Sequence, residues 1–142
     1  MCLIVKEGIK IAEEDIVVYK ILSKCSNKEK SMVTYTPPYQ WGRGFKYKKG
    51  VNSDDTGFEG IFKRYSDEGP YTIVESGFLH AFTDLDFSLY YLKANFSSTC
   101  LNSIIEYHVY EMIIPKGTRY FVGEQNDICA KELRWDDMTP CD

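Results

Sequence analysis

Apolar and polar residues alternate along most of this chain with a period of two. That period belongs to strands, because successive side chains of an extended backbone point to opposite faces. Ile16 to Leu22 is the strongest early run, with Val17, Val18, Tyr19 and Ile21 in it. The charged stretch "SKCSNKEKS", Ser23 to Ser31, reads as a loop. "MVTYT" then reads as a short strand that stops at Pro37-Pro38, where ladder donors end. Phe45 and Tyr47 alternate with Lys46 and Lys48, the pattern of a half-exposed strand. "YTIVESGFLHAF" is strand material broken at Gly77. The longest strand candidate is "LNSIIEYHVYEMIIP". In it Ile105, Tyr107, Val109 and Ile113 share one face, and Glu106, His108, Tyr110, Met112 and Ile114 share the other. Ile114-Pro115-Lys116-Gly117 suits a type I turn, with proline second and glycine fourth. "TRYFV" returns, "GEQND" turns, and "ICAKEL" alternates again.

One segment changes period. Leu85, Ser88, Leu89 and Leu92 recur at helical spacing, and Phe82 can staple the entry. Thr83 and Asp86 have the spacing of a capping box. A helix from about Asp84 to Asn95 follows. The expected fold class is α+β: a mainly antiparallel β-sheet with this one principal helix packed on it. Short sequential turns favour hairpins over crossovers. The 142 residues fit a single domain, 1–142, with 134–142 expected to be a loose acidic tail.

Charge and cysteine usage narrow the function classes. The net charge is −4, whereas a nucleic-acid binder draws most of its affinity from a basic surplus. The five cysteines, Cys2, Cys25, Cys100, Cys129 and Cys141, are widely spaced and show no C-x-x-C or Cys/His pair. A structural zinc site is therefore not expected, and no H-x-x-x-H or H-x-H supports another metal. "MCLIV" is too short for a secretory apolar region, and no apolar run reaches the roughly 20 residues of a membrane span. These features predict a cytoplasmic protein with reduced thiols and no membrane partner.

Two histidines and one basic aromatic stretch are the local candidates for chemistry. His80 lies just before the helix start, where a neutral imidazole can help bind an anion or act as a base; a strand histidine with a backbone partner is the plainer alternative. His108 shares a strand face with Glu106 and Tyr110, the pattern of a polar cluster or of a solvated face. In "YQWGRGFKYKKG", Tyr39, Trp41, Phe45 and Tyr47 interleave with Arg43, Lys46, Lys48 and Lys49. Rings among cations serve nucleotide or single-strand binding, and a hairpin with one packed and one wet face gives the same alternation. Tyr39, Trp41, Arg43 and Tyr47 are the expected ligand-binding residues.

The G-F-x-x-F/Y and I-P-K-G-x-x-Y segments resemble those of uncharacterised small bacterial or phage proteins, over about two thirds of the chain. The order of features also resembles, faintly, that of ADP-ribosyltransferases. Tyr19-Lys20 in "VVYKI" stands where that family has an aromatic-Arg pair, and "IIPKGTRYFVGEQNDICAKEL" supplies the late strand before its catalytic glutamate. The resemblance implies NAD as substrate, with Lys20 near its phosphates and Glu124 or Glu132 near the ribose. The chain departs from the family in having lysine at residue 20, which lacks the bidentate fork of arginine. It also lacks the Ser-Thr-Ser segment, with only Thr83 nearby, and neither glutamate has E-x-E or Q-x-E spacing. Three readings stand: a non-enzymatic module binding a protein or small ligand without a cofactor, a nucleotide-handling enzyme built on Lys20, His80 and Glu124 or Glu132, and, least favoured by the net charge, nucleic-acid binding through Arg43 to Lys49.

Overall fold

A computed structural model describes residues 3–5, 7–27, 32–38, 45–54, 59–96 and 105–142. In chain order its elements are β1 (Leu3–Val5), β2 (Lys10–Ile11), β3 (Ile16–Asn27), β4 (Met32–Thr36), β5 (Gly50–Ser53), β6 (Gly60–Ser66), β7 (Gly69–Ser76) and β8 (Leu79–Phe82). The helix α1 (Leu85–Phe96) follows, then β9 (Ile105–Ile114), β10 (Arg119–Val122), β11 (Asp127–Ala130) and β12 (Glu132–Trp135). The architecture is mostly antiparallel β-sheet with one helix among the described residues, as the α+β reading expects.

A large sheet runs in the order β2-β10-β11-β8-β3-β9-β12-β5, and a small one runs β1-β7-β6. The long strand β3 organises the large sheet. Along one edge β9 pairs with it without interruption, from Ile16↔Ile114 to Cys25↔Ile105. The other edge is divided. β8 meets β3 at Tyr19↔Phe82, and β4 takes over from Ser23↔Thr36 to Asn27↔Met32. Among the described residues Lys20, Ile21 and Leu22 have no register partner on this edge. The large sheet therefore carries a gap beside its central strand.

Alternation along β3 sends apolar side chains to two cores. Val18 and Leu22 face one side with Tyr110, Met112, Ile114, Leu133 and Trp135. Ile21 faces the other with Phe82 and Val109, where Leu85, Phe87, Leu89, Tyr91, Leu92 and Phe96 of α1 pack on it. A third cluster, Leu3, Val5, Val74, Phe78, Phe121 and Cys129, joins the small sheet to the large one. At this joint Gly123 is bare for a reason: a Cβ there would stand 2.5 Å from Leu3 Cδ1 and 2.7 Å from its Cγ.

Several local expectations change. Ser23 to Asn27, read as a charged loop, continues β3, because β4 and β9 supply ladder partners that no local signal announces. The helix begins one residue later than its spacing suggests. Asp84 Oδ1 accepts from Phe87 N at 3.2 Å and caps the first turn. Thr83, expected in a capping box, donates to the carbonyl of Asn126 through both its N–H (2.8 Å) and Oγ1 (3.3 Å). The turn after β9 is likewise displaced by one residue: Thr118 N donates to Pro115 O at 3.1 Å, and Gly117 has φ +89°. A positive φ at the third position makes this a type II turn.

The expectation of a loose tail over 134–142 is also overturned. Trp135 is fully buried, with its ring edge-on to Tyr35 and Tyr110 at 4.9 Å each. Its Nε1 donates to Asp137 O at 3.1 Å. Cys141 N donates to Val109 O at 2.8 Å, and Val109 N donates to Asp142 Oδ1 at 3.0 Å. His108 lies between Asp142 Oδ2 (3.0 Å) and Glu106 Oε2 (3.2 Å). The acidic composition suggested solvation, but three apolar side chains, Trp135, Met138 and Cys141, dock the segment.

Trp135→Ala is expected to cost about 3–5 kcal/mol in urea unfolding, the range for a large core aromatic; a loss below about 1 kcal/mol would contradict the closed packing. Burial works against the charged form of His108, but the hydrogen bonds and charges of Asp142 and Glu106 outweigh it and raise its pKa above 6.5. The pair therefore stabilises the fold fully below pH 6.5. That stability is lost as pH rises through the higher folded value. His108→Gln should lower stability at pH 6 by roughly 1 kcal/mol or less and leave it unchanged at high pH. Urea midpoints at the two pH values check this.

Candidate functional site

The gap beside β3 opens into a cavity of about 140 Å³. Lys20 and Ile21 form its floor, and Pro37, Pro38, Phe45 and Tyr47 form one wall. The strand β8 and the preceding Phe78 form the opposite wall, with Tyr91 and Phe96 of α1, Leu3, Asp54 and Asp127 completing it. Most of this lining is aromatic or aliphatic. The polar side-chain groups are one amine, one imidazole, two phenols and two carboxyls.

Lys20 is placed by parity. Residue 20 lies on the same face of β3 as Val18 and Leu22, so its stem runs into the core while β4 and β8 part beside it. Only 8% of its surface is exposed. Its Nζ donates to the carbonyl oxygen of His80 and lies 5.2 Å from the centroid of the Tyr47 ring. An aromatic face attracts a cation but does not neutralise it. Burial alone pushes the Lys20 pKa down from 10.5 to about 8, with no carboxylate of the described residues opposing it.

The remaining polar groups are also shaped by burial. Both ring nitrogens of His80 are buried without a hydrogen-bond partner among the described residues. Burial, reinforced by the charge of Lys20, brings its pKa down to about 3, so the ring is neutral at ordinary pH. Burial, and then the charge of Asp54, raises the Tyr47 hydroxyl above its ordinary range. Burial raises Asp127 as well. Tyr47 is fixed from behind by the buried Asn52. Asn52 accepts from Lys48 N (2.9 Å) and donates to Lys48 O (2.9 Å), Gly50 O (3.2 Å) and Leu133 O (3.3 Å). This fastens the turn that carries Phe45 and Tyr47 onto β12.

The structure thus brings together three residues singled out by the sequence: Lys20, His80 and Tyr47. Tyr47 is buried, on the packed face that alternation expects, and it meets Tyr35 in an isolated bridge instead of a full strand. Tyr39, Trp41 and Arg43 lie outside the described residues. Glu124 sits in the turn before β11, where Asp127 N donates to its carbonyl oxygen at 3.2 Å. Glu132, on β12, borders a separate shallow pocket with Lys116, Thr118, Arg119 and Lys131. Neither glutamate lines the Lys20 cavity. His108 takes part in the Asp142 contact instead. Asn52, Asp54, Phe78 and Asp127 escaped the sequence reading. Asn52 and Asp54 looked like turn residues, and nothing local signals that Asp127 faces a cavity.

Among the described residues no group of three or more His, Cys, Asp and Glu could hold a metal, and no helix is long and apolar enough to cross a membrane. No protein-family model, curated protein or solved structure matches the chain.

The lowered Lys20 pKa has a definite sign. Between pH 8 and 10.5 the unfolded chain holds more protons than the folded one, so stability rises with pH across that window. Below it the buried ammonium costs roughly 3 kcal/mol, since each tenfold loss of proton affinity is worth about 1.4 kcal/mol. Lys20→Met should therefore be roughly 1–3 kcal/mol more stable than the parent at pH 7. It should also lack the rise above pH 8. Urea unfolding at pH 7 and 10 tests both; a less stable variant at pH 7 would show that the amine is compensated.

Proposed function

We propose that this chain is a binding module for a small, largely apolar ligand that occupies the cavity at the gap in the sheet. The observation that carries this reading is an aromatic-walled chamber on which a few polar groups converge, the usual composition of a small-molecule site. Its size is informative. An engineered apolar cavity of about 150 Å³ takes up benzene. A chamber of about 140 Å³ suits one six-membered ring. The rings of Phe45, Phe78, Phe82 and Phe96 offer flat and edge contacts to it. Lys20 is held by the His80 carbonyl and the turn that carries Tyr47 is held by Asn52, so these two groups meet a ligand already placed. No cofactor is required. The free thiols of Cys25, Cys129 and Cys141 suit a reducing compartment such as the cytoplasm.

A second reading, a nucleotide-binding or ADP-ribosyltransferase-like enzyme using NAD, draws support from Lys20 and His80 sharing one cavity. It lacks a glutamate there, and a chamber of single-ring size favours the first reading.

The test is NMR titration with benzyl alcohol, a neutral single-ring probe. Binding should shift the amides of Tyr47, His80 and Ala81. Ala81→Phe places a ring in the chamber and should weaken binding by roughly tenfold or more while the circular dichroism spectrum is retained. Equal binding by the parent and Ala81→Phe would place the ligand elsewhere and end this reading.

A further inference from the structure

Among the described residues the Lys20 amine stands apart as a buried cation without an ion pair. The ion-paired lysines and arginines of the described residues, Lys10, Arg119, Lys131 and Arg134, each meet a carboxylate within 3.3 Å. Lys20 is more buried than any of them, and among the described residues its one hydrogen bond goes to the carbonyl of His80. An ammonium has three donors, and a buried charge is normally matched by an opposite one. Two N–H groups of Lys20 are thus left for something else at the floor of the cavity. Beside them stands a neutral imidazole with neither nitrogen engaged.

We infer that the ligand is a single-ring monocarboxylate, whose carboxylate is the missing counter-ion of Lys20 and whose ring fills the aromatic chamber. This deepens the cavity reading and rests on it. Four observations select the class. The amine and the apolar walls belong to one cavity, so the ligand carries both an anionic head and an apolar body. The volume admits one ring. Lys20 is the only cation in the described lining, so it balances a single negative charge. Asp54 and Asp127 share that lining, and their charges oppose any anion, a dianion such as a phosphate monoester twice as strongly as a monocarboxylate. His80, as a neutral imidazole, has one N–H to donate to the second carboxylate oxygen.

The pairing makes binding proton-linked. A carboxylate against Lys20 favours its charged form and moves its pKa back up from about 8. The complex then holds more protons than the free protein at pH 8.5, and binding takes up a proton there. At pH 6.5 the amine is already charged and uptake vanishes. His80 titrates near pH 3 and burial carries Tyr47 upward, so neither changes charge in this window. Asp54→Asn and Asp127→Asn isolate the two other carboxyls of the cavity lining.

The experiment is isothermal titration of the full chain with benzoate and with benzyl alcohol. It uses the parent, Lys20→Met, Lys20→Gln and Ala81→Phe, in two buffers of different ionisation enthalpy. A charged hydrogen-bonded pair is worth roughly tenfold to a hundredfold in affinity. Benzoate should bind the parent tighter than benzyl alcohol by that margin at pH 7. It should take up a fraction of a proton at pH 8.5 and none at 6.5. Lys20→Met, or Lys20→Gln if methionine perturbs the fold, should lose that preference and the proton uptake while still binding benzyl alcohol. Equal affinity for the two probes, unchanged by substitution of Lys20, would overturn the carboxylate inference and leave the cavity reading intact. Failure of both probes to bind the parent, or binding unaffected by Ala81→Phe, would overturn both.

Discussion

The ladder between β3 and β9 is the constraint on which the other elements depend. Ten register pairs run without a break from Ile16↔Ile114 to Cys25↔Ile105. They fix which side chains of both strands face the helix and which face the opposite core. A slip of one residue would exchange the two sets. Lys20 would then face α1, and Ile21 would leave the aromatic cluster that covers it. With one edge of β3 filled by β9, the other is left to two strands of five and four residues. They are brought there by different parts of the chain and do not meet. The cavity is the space between them.

Seen from this ladder, the buried amine is a conflict between fold and site. Everything else at residue 20 of β3 asks for an apolar side chain, as at its neighbours Val18 and Leu22 on the same face. Consistency between local choice and global structure is the rule in a foldable sequence, and departures concentrate where a protein does something other than fold. The orphaned ring of His80 is a second departure of the same kind, in the same lining. Two such departures in one place, with apolar order around them, are what distinguish this cavity from a packing defect.

Much of the fold was legible in the sequence because it is written in local periodicity. The helix, the long β9 and the strand before Pro37 follow directly from the spacing of Leu85, Leu89 and Leu92, from alternation, and from proline chemistry. What was illegible depends on distant partners. Ser23 to Asn27 is strand because Met32–Thr36 lies against it. The segment after Trp135 is ordered because Val109 offers it a donor and an acceptor. For the site, the residue types were visible and their convergence was not. Lys20 and His80 attracted notice singly, and Tyr47 was chosen for the company of Tyr39, Trp41 and Arg43 rather than for the lysine it faces. Glu124 and Glu132 drew attention through a resemblance whose geometry the Lys20 cavity does not reproduce. A gap in a sheet has no sequence signature, since it arises from where two strands stop.

Leu3 has a double membership. It belongs to the core that joins the two sheets and also to the wall of the cavity. Its strand is three residues long and pairs with β7 through Leu3↔Val74, Ile4↔Ile73 and Val5↔Thr72. The large sheet is joined by long ladders about β3, whereas β1 is fastened by one short ladder and by the close fit of Leu3 against Gly123. Part of the cavity wall is therefore held in place by the smaller sheet.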